Sequence, residues 1–367
     1  MQKNNIDSAI TFLKGLKGKK VTVVSHDDSD GSCSAALIIR LLKKIDRHIH
    51  ISYFSTRGRP SISDGLMKDI ISKKSEFVIT CDFAGDIDKS AQILEQEGVQ
   101  CLMIDHHIVS DYKFPDNTIY INPLLDGKTM PCAAFIYDLC NRIFDIKEHL
   151  WIAGVGTIED FGATDRTDII EGCMKQYPEL FEKKDMDNSK LFDTTFGLVG
   201  KILSSASTWN SYKGAELATK VLLEVNSPRD FLGLENKNVR MMFEKYQIIE
   251  KEIRDSVRKF EEESVVSGAL RYHIMDSEYP IKSKVSTIIS AKNEYYNEVI
   301  AVIEENNKTY SLSLRNQSGD FDLNGIVREC LAGLDGVGGG HKKASGAVVA
   351  KKDFDVFMGR LKEKIKN

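Results

Sequence analysis

The sequence predicts an α/β protein with an amino-terminal, mostly parallel sheet flanked by helices, a helical connector and a smaller carboxyl-terminal α/β domain. Three observations predict this fold class. Short apolar runs alternate with helical patterns over the first ~160 residues, a largely helical stretch follows, and mixed strand and helix patterns return at about residue 265. A chain of 367 residues is long enough for two domains. We therefore expect boundaries at 1–195, 196–264 and 265–367.

The elements of the first domain follow from apolar runs bounded by turn residues. Helical spacing between these runs predicts the crossover helices of βα units. Gly98 stands where one such helix is expected to stop. The predicted strands are 21–25, 76–83, 99–105 and 118–123, and the predicted helices are 34–45, 88–98 and 132–144.

The rest of the chain divides into a helical part and a second mixed part. Apolar residues recur at spacings of three and four from Tyr246 to Phe260, which predicts an amphipathic helix. That helix either connects two domains or is a solvated helix packed on one side. The last hundred residues predict strands at 265–275, 298–305, 309–315 and 344–350, and helices at 286–294, 322–333 and 354–365.

Composition excludes several classes of protein. An uncharged apolar run of 18 residues does not occur, so a membrane span is not predicted. Residues 1–20 are polar and basic rather than typical of a signal peptide, and we expect a cytoplasmic protein. The seven cysteines form no CxxC pair, which argues against a zinc ribbon or a redox motif.

The formal net charge of −4 does not suit a nucleic-acid-binding protein at first sight, because basic surfaces dominate phosphate binding. Acidic residues that serve as metal ligands would change this balance. Two divalent cations would bring the net charge to about zero, with the whole change concentrated at one site. Net charge therefore decides little about the partners of this chain.

Four polar clusters follow apolar runs, and three of them stand at the ends of predicted strands. Parallel strands gather the groups at their carboxyl ends in one cleft, so the clusters are expected to meet. Aspartate and histidine suit Mn²⁺ or Mg²⁺, and several carboxylates are what two neighbouring cations require for water activation. A single Asp after a strand is more often a helix cap or a turn residue, and only the convergence of the four favours a metal site. The clusters are residues 25–31 (SHDDSDG), Asp82, Asp105-His106-His107 and Glu159-Asp160.

The order DxDG, a strand-terminal Asp, DHH and a fourth Asp resembles the DHH phosphoesterase superfamily. Gly338-Gly339-Gly340-His341, followed by residues 344–347 (ASGA), resembles the GGGH motif of the associated DHHA1 substrate-binding domain. Together these motifs lie near both ends of the chain. The resemblance implies a DHH catalytic domain over 1–195 and a DHHA1 domain over 265–367.

The resemblance also implies roles for individual residues. Two divalent cations, Mn²⁺ or alternatively Mg²⁺, would be held by seven residues, and either Asp82 or Asp105 would bridge them. Asp105 and His107 would act in catalysis, with His107 supporting the site or meeting phosphate. Asp165 is a nearby alternative to Asp160. The implied metal ligands are His26, Asp28, Asp30, Asp82, Asp105, His106 and Asp160, and the implied substrate-binding residues are Arg315, Gly338, Gly339, Gly340 and His341.

A loop of consecutive glycines would let backbone N–H groups approach a phosphate, while Arg315 could grip it bidentately. A flexible turn is the alternative for the glycines. Among members of the superfamily, the long helical part and residues 204–214 look similar to archaeal RecJ-like nucleases of DNA replication and repair. We therefore predict a metal-dependent exonuclease acting on single-stranded DNA or RNA.

Two other functions remain open at this stage. A short-oligoribonucleotide or nucleotide phosphodiesterase or phosphatase would use the same site. A Cdc45-like replication scaffold that binds the GINS complex belongs to another class, and its relatives have lost ligand residues that this chain retains. Cleavage polarity, the choice between DNA and RNA, minimum substrate length and oligomeric state do not follow from the sequence.

Overall fold

The computed structural model describes residues 5–57, 61–83, 85–108, 112–182 and 186–366. The chain divides into two compact units, with the division between residues 246 and 247. Within the described ranges, no helix combines the length and apolarity needed to cross a bilayer.

The first unit is built on a parallel sheet with strand order β2-β1-β3-β4-β5. This sheet confirms the predicted fold class. The edge strand β2, whose residues are mostly half-buried, was not predicted from the sequence. The strands are β1 (Lys20–Ser25), β2 (His50–Ser55), β3 (Phe77–Cys81), β4 (Gln100–Ile104) and β5 (Thr118–Ile121).

Helices cover both faces of this sheet. The helix α9 is broken at Asn210 and Ser211, and α11 runs across the boundary between the two units. The helices are α1 (Ile6–Lys14), α2 (Ser29–Ile45), α3 (Asp64–Ser72), α4 (Ile87–Gln96), α5 (Cys132–Asn141), α6 (Leu150–Glu159), α7 (Thr167–Gln176), α8 (Asn188–Phe192), α9 (Thr195–Glu224), α10 (Pro228–Leu232) and α11 (Lys237–Glu263).

The strand period of two sends alternate side chains into two cores. Val23 and Ile79 point to the core formed with α2, α5, α6 and α9, whereas Val24 and Val78 point to the core formed with α3 and α4. Helix α9 contributes buried residues such as Phe196 to the first of these cores. This part of the predicted connector therefore packs on the first unit.

The second unit contains a mixed sheet with strand order β10-β11-β9-β8-β7-β6. Strands β7 and β8 are parallel and the other neighbours are antiparallel. Helices α13 and α14 pack on one face, and α12 packs on the other face against β8 and β9. The elements are β6 (Val265–Ser267), β7 (Leu270–Met275), α12 (Lys282–Ser290), β8 (Val299–Glu305), β9 (Thr309–Arg315), α13 (Leu323–Leu331), β10 (Gly336–His341), β11 (Ala344–Ala350) and α14 (Phe354–Lys364).

The glycines of the GGGH motif form an edge strand, so the predicted loop was wrong. Strand β10 pairs with β11 along its whole length. A Cβ atom at Gly338 would lie 2.7 Å from Gly346 O and 2.7 Å from a side-chain carbon of Val327 in α13. Close packing against the neighbouring strand and helix explains the absence of a side chain at this position.

Candidate metal centre

The end of β1 leads into the metal centre through His26 and Asp28. Asp28 has an extended backbone as the N-cap of α2, and its Oδ1 accepts a hydrogen bond from Gly31 N at 2.8 Å. The other oxygen lies 2.6 Å from His26 Nδ1. A Cβ atom at Gly31 would lie 2.4 Å from His26 O, so only glycine allows this turn to close.

Asp30 is buried in the first turn of α2, and its carboxylate caps the beginning of α5. Its Oδ2 accepts a hydrogen bond from Cys132 N at 2.8 Å, and its Oδ1 accepts one from Ala133 N at 3.0 Å. These are the first amides of α5, whose N-cap Pro131 makes no side-chain cap. Burial, together with the negative charge of Asp82, raises the pKa of Asp30 well above its ordinary value.

Asp82 follows β3 and is the most constrained acid of the cluster. Its backbone has a φ of 65°, in the left-handed region that a non-glycine residue rarely adopts. The residue is 1% exposed, and neither carboxylate oxygen has a hydrogen-bond partner within the described residues. Burial raises the pKa of Asp82, but the imidazoles of His106 and His26 outweigh burial and hold this pKa far below its ordinary value.

The residues 105–107 form a turn held by the Asp105 carboxylate. Its Oδ1 accepts hydrogen bonds from His106 N at 2.8 Å, from His107 N at 3.2 Å and from His107 Nδ1 at 2.8 Å. Its Oδ2 is buried without a hydrogen-bond partner within the described residues. Asp105 therefore orients His107, and burial, which lowers the pKa of that histidine, is outweighed by Asp105, which raises it.

The fourth cluster stands at the end of a helix. Asp160 is the C-cap of α6, and its Oδ2 lies 3.6 Å from His106 Nδ1. Burial, only partly opposed by His106, raises the pKa of Asp160 to about 6. Asp165 is exposed and belongs to none of the candidate ligand groups in the described part of the chain.

The described side chains form three groups whose potential ligand atoms lie within 4.8 Å of one another. Asp82 is shared by two groups and His106 by two, whereas Asp105 belongs to none of them. All members were among the site residues predicted from the sequence. The groups are Asp82 with His106 and His107, His26 with Asp28 and Asp82, and Asp30 with His106 and Asp160.

This donor set fits divalent cations. Hard carboxylate oxygens and borderline imidazole nitrogens are mixed, and buried carboxylate oxygens without hydrogen-bond donors would otherwise be costly. Burial lowers the pKa of both His26 and His106, but the neighbouring carboxylates raise these values to about 11 and about 10. The protonated imidazoles thus balance the negative charge of the acidic cluster in the cation-free protein. Bound cations would replace this positive charge.

In the second unit, cross-strand register places Arg315 and His341 in one row. Arg315 on β9 is opposite Ala344 on β11, which is opposite His341 on β10. Directly opposite residues project from the same face of a sheet, so both side chains lie on one face, about 10 Å apart over two strand spacings. Toward the other end of this face, the cross-strand pair Val337 and Val348 is exposed.

Comparison with known proteins agrees with this architecture. The model of the "DHH family, N-terminal domain" matches residues 20–155, and the model of the "DHHA1 domain" matches residues 276–367. Together the two matches cover well over half of the chain. The chain belongs to the DHH/DHHA1 superfamily. The acidic cluster described above, apart from Asp160, lies within the DHH match, and the Arg315–His341 row lies within the DHHA1 match.

This DHH/DHHA1 chain is similar to YorK of Bacillus subtilis, a candidate SPbeta prophage-derived single-strand DNA-specific exonuclease. The two are 29% identical over 168 residues, which is 43% of this chain and 28% of YorK. RecJ from Thermus thermophilus with Mn²⁺ has a similar fold, with a TM-score of 0.76, 16% identity and coverage of 99% of this chain and 55% of RecJ. The same RecJ is known with Mg²⁺ (TM-score 0.67, 16% identity, 98% of this chain and 52% of RecJ).

The fold is also similar to CDC45 from Entamoeba histolytica. The TM-score is 0.62 at 9% identity, with 98% of each chain covered. At such identities the two structural likenesses show the fold alone. The present chain spans about half of the T. thermophilus RecJ and matches about a quarter of YorK.

One role of a site residue had not been predicted from the sequence. Asp30 was expected to be a metal ligand, but it also caps α5 from a distance. A signal for this role was present, because Pro131 before the helix provides no side-chain acceptor for the first amides, and these amides need one.

Proposed function

We propose that this chain is a metal-dependent exonuclease that hydrolyses phosphodiester bonds of single-stranded DNA or RNA. The observation that carries the proposal is the position of Asp82. Its two buried carboxylate oxygens lie at the centre of the cluster, one 3.1 Å from His106 Nε2 and the other 3.7 Å from His26 Nδ1. An acid in this position can be shared between two cations.

The ligands would divide into two sets around Asp82. His26 and Asp28 come from the end of β1 on one side, and His106 comes from the end of β4 on the other. Asp30 and Asp160 would complete the second set. Bound cations, with Mn²⁺ as our first expectation and Mg²⁺ as the alternative, would supply Lewis acidity toward a phosphodiester and toward water.

The protein's own residues position the substrate. Asp105 keeps the His107 ring in one orientation through the 2.8 Å contact to Nδ1, and the raised pKa of His107 allows it to donate to a phosphate oxygen. Arg315 offers a planar fork of donors for a second phosphate, and the row that it shares with His341 gives the strand a contact surface. Gly338, Gly339 and Gly340 keep this edge of the surface free of side chains.

Digestion of end-labelled single strands of graded length tests the proposal. With Mn²⁺ or Mg²⁺ we expect progressive shortening of long strands, and the label released first would give the polarity. Cleavage confined to the shortest oligomers would replace the exonuclease with a short-oligoribonucleotide or nucleotide phosphodiesterase.

A Cdc45-like scaffold that binds GINS is the second candidate, favoured by the fold similarity to CDC45 over nearly the whole of both chains. The acidic cluster favours the enzyme, because a scaffold does not need three groups of converging carboxylate and imidazole ligand atoms. A GINS pull-down that survives chelation, together with absence of cleavage, would establish the scaffold instead.

A further inference from the structure

The helix α6 ends in a Schellman motif with a phenylalanine where glycine is preferred. Phe161 N donates to Ile158 O at 3.1 Å and Gly162 N donates to Thr157 O at 2.9 Å, which are the two hydrogen bonds of that motif. The residue after the C-cap takes the left-handed conformation, and Phe161 has a φ of 56°. Most non-glycine residues are strained in this region, and a bulky one is an outlier.

Burial of the ring does not compensate for this strain. Phe161 is 70% exposed, although its ring contacts Phe192 with a centroid distance of 5.1 Å. Ile108 is 83% exposed, and these two are the most exposed large apolar side chains of the first unit among the described residues. Each lies within two residues of a candidate metal ligand, Ile108 after His106 and Phe161 directly after Asp160.

The turn that presents the ring is fixed in place. A Cβ atom at Gly162 would lie 2.2 Å from Pro131 Cγ, so this turn packs directly on the beginning of α5, the helix that Asp30 caps. The backbone that carries Phe161 is therefore held by the same elements that hold Asp30 and Asp160. Strained backbone at a non-glycine residue is concentrated at active sites and ligand-binding sites, which favours a binding role for this exposed ring next to the metal cluster.

We propose that Phe161 stacks on the unpaired base of the nucleotide whose phosphodiester lies at the metal cluster. This assignment rests on the proposed function and deepens it, because it makes the substrate a nucleic acid recognised through a base as well as through phosphate. A base lies one sugar away from its phosphate, and Phe161 lies one residue away from Asp160 in the chain. An aromatic ring can stack on any base, so this contact tolerates any sequence but requires that the base is unpaired.

Kinetics on matched strands test the assignment. Phe161→Leu keeps the apolar volume and removes the ring, and we expect KM to rise by about 5- to 100-fold, as for the loss of one base–aromatic stack, with little change in kcat. On strands that lack the base at the terminal nucleotide, the unaltered protein and Phe161→Leu should have the same KM. Phe144→Leu, at an exposed aromatic near the far end of α5, is the matched control and should leave KM unchanged.

Two further measurements separate binding from folding. A strand with 2-aminopurine at one end or the other is mixed with the protein in the presence of Ca²⁺. The 2-aminopurine fluorescence should fall when the strand binds the unaltered protein and should not fall when it binds Phe161→Leu. Phe161→Gly relieves the left-handed strain and should melt no lower than the unaltered protein, while it raises KM as Phe161→Leu does. If Phe161 only stabilised the fold, its replacement by glycine would instead lower the melting temperature.

The outcomes are distinguishable. Suppose that the unaltered protein cleaves normally. The stacking assignment alone would then be overturned if Phe161→Leu had the same KM as the unaltered protein, or if it quenched 2-aminopurine equally. Absence of cleavage by the unaltered protein with Mn²⁺ and Mg²⁺ would overturn the proposed function, and the assignment with it.

Discussion

The Nε2 atom of His106 lies 3.1 Å from Asp82 Oδ1, within ion-pair distance of a carboxylate that is 1% exposed. The protonated imidazole thus balances the Asp82 carboxylate in the cation-free protein. A divalent cation beside the two ligand atoms would take over this role of the proton. Because Asp82 belongs to two of the three ligand groups, we expect its replacement to change metal binding more than replacement of any other acid.

Replacement of Asp82 by asparagine should abolish metal binding at the centre. The left-handed backbone at this position tolerates asparagine, so the fold is expected to persist. We expect activity to fall by more than about 100-fold, because loss of a residue that only orients a ligand already costs about 10- to 100-fold. Calorimetric titration with Mn²⁺ and circular dichroism check the two expectations, and full-strength Mn²⁺ binding by the folded variant would contradict the assignment.

Asp105→Asn should behave differently, because Asp105 holds the turn and His107 rather than joining a ligand group. The asparagine oxygen can still accept from the backbone amides, but it no longer stabilises a charged imidazole. We expect activity to fall by about 10- to 100-fold while Mn²⁺ affinity changes less than in Asp82→Asn. If Asp105→Asn loses the metal and Asp82→Asn retains it, Asp105 is the bridging acid.

Asp30→Ala should destabilise the cation-free protein. It removes both acceptors of the buried Cys132 and Ala133 amides, and each buried amide left without a partner costs about 1–3 kcal/mol. Urea unfolding should show a loss of about 2–4 kcal/mol, less than the full sum for two amides, because the variant also loses the repulsion between Asp30 and Asp82. Asp160→Ala, at a side chain 39% exposed, is the control and should change the free energy of unfolding little. Equal stability of the two variants would refute the capping role.

Arg315→Ala should weaken strand binding and lower its dependence on salt. One lost phosphate contact is expected to reduce the slope of log affinity against log salt by about 0.7 for a single strand. Lys364→Ala removes one charge from α14, which packs on the opposite face of the sheet, and should leave the slope unchanged. Anisotropy titrations at several salt concentrations measure both slopes. An identical change in the two variants would mean that Arg315 acts only through net charge.

The partly buried His149 should make stability depend on pH. Burial, together with the positive charges of Arg40 and Lys44, lowers the pKa of His149 to about 4. Between that value and the ordinary pKa near 6.5, the unfolded chain binds more protons than the folded one. The neutral His149 therefore lets the folded protein keep its full free energy of unfolding above pH 6.5. This free energy falls as the pH falls from 6.5 toward 4.

His149→Gln should lack this part of the pH dependence. Relative to the variant, the unaltered protein is expected to lose about 1–2 kcal/mol between pH 7 and pH 4.5, after allowance for partial solvent screening. Urea denaturation of the cation-free proteins at both pH values provides the test. Parallel losses in the two proteins would show that His149 does not titrate in this window.

The parallel sheet and the acidic cluster were predictable because both rest on local patterns. Apolar runs marked β1, β3 and β4, and the polar residues at their ends meet because parallel strands end on one edge. Strand β10 could not be predicted, since four of its six positions are glycine and only pairing with β11 makes it a strand. Pro131 indicates that the first amides of α5 need an acceptor, but sequence patterns do not reveal that this acceptor is Asp30, a hundred positions away.

Strands β1, β3 and β4 occupy the middle of their sheet, while β2 and β5 form its edges. The strands that lead into His26, Asp82 and Asp105 are therefore hydrogen-bonded on both sides. Amide hydrogen exchange reports local opening, and openings that detach an edge strand leave a central one intact. Slow exchange should thus extend through β1, β3 and β4, so that the strands before His26, Asp82 and Asp105 stay paired when an edge strand opens.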